Sequence, residues 1–143
     1  MTTAIRNLFV ALVLALITGM QAVEAEVVVV VSADNPVVVL TRSELMDIFL
    51  GKRDRFPDGS PALPLDQSEG TDEREEFYIK FANKSTAQIK AYWTSLIFTG
   101  RGLPPQEASD NIQVKRFLAT HRSAISYIDK SLVDSSVKML QIR

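Results

Sequence analysis

Five consecutive valines, Val27 to Val31, constrain the fold more than any other stretch of this chain. β-Branched side chains favour extended backbone, and successive residues of a strand point to opposite faces. An unbroken apolar run therefore needs apolar cover on both sides, the condition of a strand inside a sheet flanked by helices. A second run, Val37 to Leu40, follows the turn signal Asp34-Asn35-Pro36 and reads as another such strand.

Helices able to supply that cover follow in order. Thr41-x-x-Glu44 is a capping box, and Leu45, Ile48 and Phe49 recur at helical spacing until Gly51 stops the helix. Phe56 to Pro61 is a turn cluster, with Gly59 suited to positive φ, and Ala62 to Leu65 reads as a short strand. From Thr71 to about Asn83 the pattern predicts a helix with Phe77, Tyr78 and Phe81 on one face and Glu73, Arg74, Glu75 and Glu76 largely outward. Ser85-x-x-Gln88 is a second capping box, and Ile89, Tyr92, Trp93, Leu96 and Ile97 form an apolar stripe best read as core. Gly100 to Pro105 is a loop, Ser109 to Thr120 a further helix, Ala124 to Ile128 a strand and Val137 to Ile142 the last strand. Strands separated by helices predict one α/β domain with a mixed or mainly parallel sheet, its core including Val29, Phe49, Phe77, Trp93 and Ile125.

The first 25 residues read as a secretory signal peptide. Arg6 is the cation of its amino end, Leu8 to Ile17 its apolar run, and Val23-Glu24-Ala25 a small-residue cleavage site. The run is shorter than the ~20 residues of a membrane-spanning helix. The expected product is an exported, soluble domain of residues 26–143, a length that supports one core. With no cysteine in the chain, disulfides, thiolate metal sites, a catalytic thiol and the acylated cysteine of a lipoprotein are all excluded. The formal net charge of −1 carries no basic excess of the kind nucleic-acid binders show.

Chemistry is sparse. Asp66 to Thr71 leaves a strand and enters a helix, where unpaired backbone N–H groups and the positive end of the helix dipole converge. An anion could be held there, with Ser68 and Thr71 adding hydroxyls and Gly70 permitting close approach to the backbone. Alternatively, Ser68 or Thr71 caps its own helix. Asp66, Glu69, Asp72, Glu73 and Glu76 crowd the junction and oppose an anion. Arg101, between Gly100 and Gly102, could bring a cation to the site, or be a solvated loop charge. His121 is the lone histidine and reads as a helix-end residue; no nucleophile elbow, Walker loop or calcium-loop spacing is present. Neither a metal nor a cofactor is expected, and the pattern argues against an enzyme.

Thr41 to Lys52, the loop Ser68-Glu69-Gly70-Thr71 and the strand Ala124 to Asp129 together resemble segments of the periplasmic phosphate-binding proteins, in the same order. The resemblance covers most of residues 26–143 and implies a single lobe of a type II periplasmic-binding-protein fold. It places an anion loop at Ser68, Gly70 and Thr71. Where the family reads Arg-Ser-Asp-Gly-Ser-Gly-Thr, alignment on Gly70-Thr71 puts Leu65 at the arginine and Glu69 at the loop serine. The site residues implied for a bound ligand are thus Ser68, Gly70 and Thr71, with Arg101 as replacement cation. Weak binding of phosphate or a similar small oxyanion follows, with a membrane-protein partner in uptake. The alternative is an extracytoplasmic interaction or sensing module whose ligand loop is vestigial.

Overall fold

The computed structural model describes residues 26–143. The signal-peptide reading of residues 1–25 lies outside the described residues.

Strand β1, Val27–Ser32, is buried along its whole length. It is the fourth strand of a five-stranded sheet of order β4-β3-β5-β1-β6, built with β3 (Leu63–Gln67), β4 (Gln106–Ala108), β5 (Ala124–Asp129) and β6 (Val137–Met139). β3 runs parallel to both β4 and β5, whereas β1 is antiparallel to β5 and β6. The sheet is therefore mixed, with only β1 reversed.

The valine run divides between two cores, as strand alternation requires. Val27, Val29 and Val31 face helices α1 (Arg42–Phe49), α2 (Asp72–Ala82) and α3 (Thr86–Phe98), whose Phe49, Phe77, Ile89 and Trp93 fill that side. Val28 and Val30 face α4 (Asn111–Thr120), packing with Val114 and Leu118. On the larger side the rings of Phe77 and Tyr127 stack at 4.0 Å. All five residues expected in the core, Val29, Phe49, Phe77, Trp93 and Ile125, are buried. Each fully buried side chain of this size contributes roughly 1.5–3 kcal/mol.

Both capping boxes form, Thr41 with Glu44 and Ser85 with Gln88. Gly51 follows α1 at φ +73, and a Cβ there would stand 3.0 Å from the Trp93 ring, so conformation and close packing both require glycine.

Two strand expectations need correction, and one strand has no counterpart among them. The run Val37 to Leu40 is not a strand buried on both faces: only Val39 and Leu40 pair, as β2, and Val38 is exposed. Val137 to Ile142 is two strands rather than one. β6 ends at Met139, and after Leu140 β7, Gln141–Ile142, leaves the main sheet to pair in parallel with β2. β4 was absent from the sequence reading because Gln106 and Glu107 carry no apolar alternation; its place comes from pairing with β3.

Candidate functional site

β3, β4 and β5 are mutually aligned, so their carboxyl ends share one edge of the sheet, and the β3–α2 junction lies there. The loop is tied to the neighbouring strand: Ser68 donates to the carbonyl of Ala108 from its backbone N–H at 2.9 Å and from Oγ at 3.2 Å. Thr71 is the N-cap of α2. Its Oγ1 accepts from the Arg74 N–H at 3.4 Å and donates to the Ser68 carbonyl at 3.0 Å. Both hydroxyls thus have local partners, and the capping alternative is realised at Thr71. Gly70 has φ +94, with open space where a side chain would stand. Glycine is needed here for backbone conformation, and its absent side chain leaves the loop open.

Beneath the loop lies a buried polar network that sequence reasoning missed. Asp66 is 2% exposed, yet it accepts from Tyr78 Oη at 2.5 Å, from Tyr127 Oη and from the Gln67 N–H at 2.9 Å. Arg74 is 6% exposed, not outward as expected, and its Nη2 lies 3.9 Å from Asp66. Its Nη1 donates to Glu107 at 3.1 Å and to the Gln67 carbonyl at 3.4 Å, while Nε is buried with no partner. Gln67 donates from Nε2 to Asn111 Oδ1 at 2.9 Å and to the Tyr127 carbonyl at 3.0 Å, joining β3, β5 and α4. A sequence signal for Arg74 did exist: positions 74, 77, 78 and 81 follow helical spacing, so Arg74 shares the face of the aromatic residues.

The electrostatics follow from burial. Desolvation first, and then the charge of Asp66, hold the Tyr78 and Tyr127 phenols well above their ordinary value, so both stay protonated and donate. Burial lowers the Arg74 guanidinium, but its carboxylate neighbours, Asp66 foremost and then Glu107, outweigh it and raise the group above its ordinary value. Asp66 is therefore an internal partner of these groups and not one of the open carboxylates crowding the loop. Glu69 is exposed and pairs with Lys90 of α3 at 3.3 Å. Glu73 accepts from Asn111 at 3.0 Å and Glu76 from the Val27 N–H at 3.0 Å.

Ser68, Gly70 and Thr71 are brought together at the junction. Arg101 is exposed beyond α3 and donates from Nε to Thr99 Oγ1 at 3.2 Å; no hydrogen bond or ion pair links it to the loop. His121 caps the end of α4, stacked on Phe117 at 3.8 Å. Among the described residues no cluster of three His, Cys, Asp or Glu side chains could hold a metal, and no helix is long and apolar enough to cross a membrane. A cavity of about 310 Å³ opens elsewhere, lined by Asn35, Pro36, Ser60, Pro61, Arg122 and Ser123. Pro61 and Ser123 precede β3 and β5, so it lies at the opposite end of the sheet from the loop.

Solved structures define the class to which this fold belongs. A protein assigned as a phosphate ABC transporter substrate-binding protein, with phosphate bound, from Clostridium perfringens matches with TM-score 0.65 and 21% identity over 81% of this chain and 44% of its own. An ABC-type phosphate transport receptor from Vibrio cholerae matches with TM-score 0.64 and 20% identity over 81% and 45%. PstS from Borrelia burgdorferi matches at TM-score 0.56 and 11% identity over 82% and 47%. No family model and no curated protein matches the sequence. The chain has the α/β fold of the type II phosphate-binding proteins, and it spans somewhat less than half the length of the solved proteins it matches.

Proposed function

We propose that this protein is an exported, single-lobe phosphate-binding-protein-like domain that holds phosphate or a similar small oxyanion weakly at Ser68, Gly70 and Thr71, without catalysis. The observation that carries the reading is the open Gly70 loop leading into α2, in a fold shared with a phosphate-bound protein. Backbone donors at a helix start attract an anion, and a small oxyanion fits a loop with no side chain at its centre. In this reading residues 1–25 are removed on export and the domain acts in the periplasm or outside the cell. A membrane protein is its partner, in the context of phosphate uptake.

Affinity is limited by geometry. Tight small-molecule sites bury about 70–90% of the ligand surface, and one lobe leaves much of an anion in water. The dissociation constant therefore falls in the range of about 1 μM to 1 mM. Calorimetric titration of the wild type and Thr71→Ala with phosphate tests this: wild-type heat in that range, reduced in Thr71→Ala, supports the site. Absence of heat at millimolar phosphate rejects it.

One observation favours a second reading, an interaction module with a vestigial loop. Phe98 is 91% and Leu103 79% exposed, flanking Arg101 at the end of α3. A contiguous exposed apolar patch marks a contact surface, and these two side chains lie close in the chain.

A further inference from the structure

We infer that Arg74 is the anion-facing cation of the β3–α2 junction and that Glu107 is a built-in competitor, a carboxylate seated where an incoming oxyanion would bind the guanidinium. The inference deepens the proposed function and rests on that reading.

The register of the sheet sets up the competition. Asp66 and Glu107 are directly paired on the parallel strands β3 and β4, so their side chains emerge on the same face. Arg74, projecting from the first turn of α2, meets both. One cation thus serves two carboxylates, leaving an excess negative charge that disfavours a third anion while both remain in place.

The two carboxylates are not equivalent. Asp66 is buried and saturated by two phenols and a backbone N–H, and it stands 3.9 Å from Arg74, too far for a hydrogen bond. Glu107 is 44% exposed, and among the described residues Arg74 is its one ion-pair partner, at 3.1 Å. Glu107 can therefore swing into solvent at little cost, whereas Asp66 cannot.

The guanidinium also has donors to spare. It carries five N–H groups, of which only those on Nη1 make hydrogen bonds, to Glu107 and Gln67; Nε is buried and unpartnered. A tetrahedral oxyanion in place of Glu107 would take charge-assisted bonds from the Nη1–Nη2 edge, where Nη2 makes no hydrogen bond. Arg74 lies directly under the loop, since its own N–H bonds to Thr71 and its side chain to the Gln67 carbonyl. It supplies from α2 the cation that Leu65 cannot supply from β3, whereas Arg101 makes no hydrogen bond or ion pair with the loop.

The test is titration of the wild type, Glu107→Gln and Glu107→Gln/Arg74→Lys with inorganic phosphate at constant ionic strength. Affinity is read by calorimetry, and the Arg74 Nε–H resonance is followed in protein labelled with ¹⁵N-arginine. Glu107→Gln is expected to bind about tenfold more tightly than the wild type, because one partly exposed repulsive charge is removed. The Arg74 signal should move on titration, and the lysine variant, which keeps a charge beside Asp66, should lose the gain. Equal affinity in the wild type and Glu107→Gln overturns this inference. So does a stationary Arg74 signal while the Gly70 and Thr71 amides shift; either result leaves the proposed site standing. Absence of binding in all three proteins overturns both.

Discussion

The β3–α2 junction and the end of α3 each carry an arginine, and the fold treats them in opposite ways. Arg74 is enclosed, paired with Asp66 and Glu107, and fixed by its position on the aromatic face of α2. Arg101 stands in an exposed loop between Phe98 and Leu103 in the chain; its backbone N–H bonds to Leu96 and its side chain to the near neighbour Thr99. Glycine neighbours give a side chain freedom but no location, whereas helical phase gives location. A cation becomes part of a site when a rigid element carries it to the strand ends.

The comparison breaks most readily through stability. Arg74→Ala leaves Asp66 buried beside no cation and should cost about 3–5 kcal/mol, whereas Arg101→Ala, at an exposed position, should stay within about 0.5 kcal/mol. Urea unfolding of the two variants reads the difference, and equal effects would erase the distinction between the two regions. Within α3 itself the same contrast holds over five residues. Trp93 is buried against Gly51, so Trp93→Ala should cost about 3–5 kcal/mol. Phe98→Ser should cost less than about 0.5 kcal/mol, because the ring is already in water.

A smaller effect belongs to the phenols. Tyr127→Phe removes a donor to Asp66 and should cost about 1.5–3 kcal/mol, measured at pH 7. The pH dependence has a fixed sign. Folding raises both phenols above their ordinary value of 10.0. Their contribution is complete below about pH 10 and is lost as the pH climbs above it, where the unfolded chain ionises and the folded chain resists. Stability should therefore fall on the alkaline side, and less steeply in the Tyr78→Phe/Tyr127→Phe double variant. A double variant that follows the wild-type profile would place the alkaline sensitivity elsewhere.

A modest effect on binding belongs to the junction itself. Glu69→Ser removes a carboxylate from the loop, but Lys90 already offsets part of that charge. Phosphate binding should therefore tighten by only about 1 kcal/mol, read by calorimetry against the wild type. Weaker binding in the variant would mean that Glu69 organises the loop and does not oppose the ligand.

What the sequence made legible was what local chemistry determines. The valine run announced a strand covered on both faces, and the two capping boxes marked helix starts that the fold keeps. The strand-to-helix junction expected over Asp66 to Thr71 is present only in its second part: Ser68 to Thr71 link β3 to α2, whereas Asp66 and Gln67 extend β3, because their pairing with Glu107 and Ala108 of β4 is not visible in the local sequence. Long-range pairing was not legible. β4 exists because β3 offers it an edge, and β6 and β7 separate because Leu140 turns the chain toward β2. The polar network escaped for a related reason. Asp66, Tyr78, Glu107 and Tyr127 are far apart in the chain, and four charges around Arg74 suggested a solvated face even though its spacing from Phe77, Tyr78 and Phe81 placed it inward.

On the proposed function, the β3–α2 junction holds a small oxyanion weakly, without a second lobe to enclose it. A backbone amide NMR titration of residues 26–143 with inorganic phosphate tests it most directly, since it reports affinity and location together. Saturable shifts are expected to concentrate between Ser68 and Arg74, with a dissociation constant between about 1 μM and 1 mM. An unchanged spectrum at millimolar phosphate, shifts centred on the Arg101 loop, or nanomolar affinity in the monomer would contradict it.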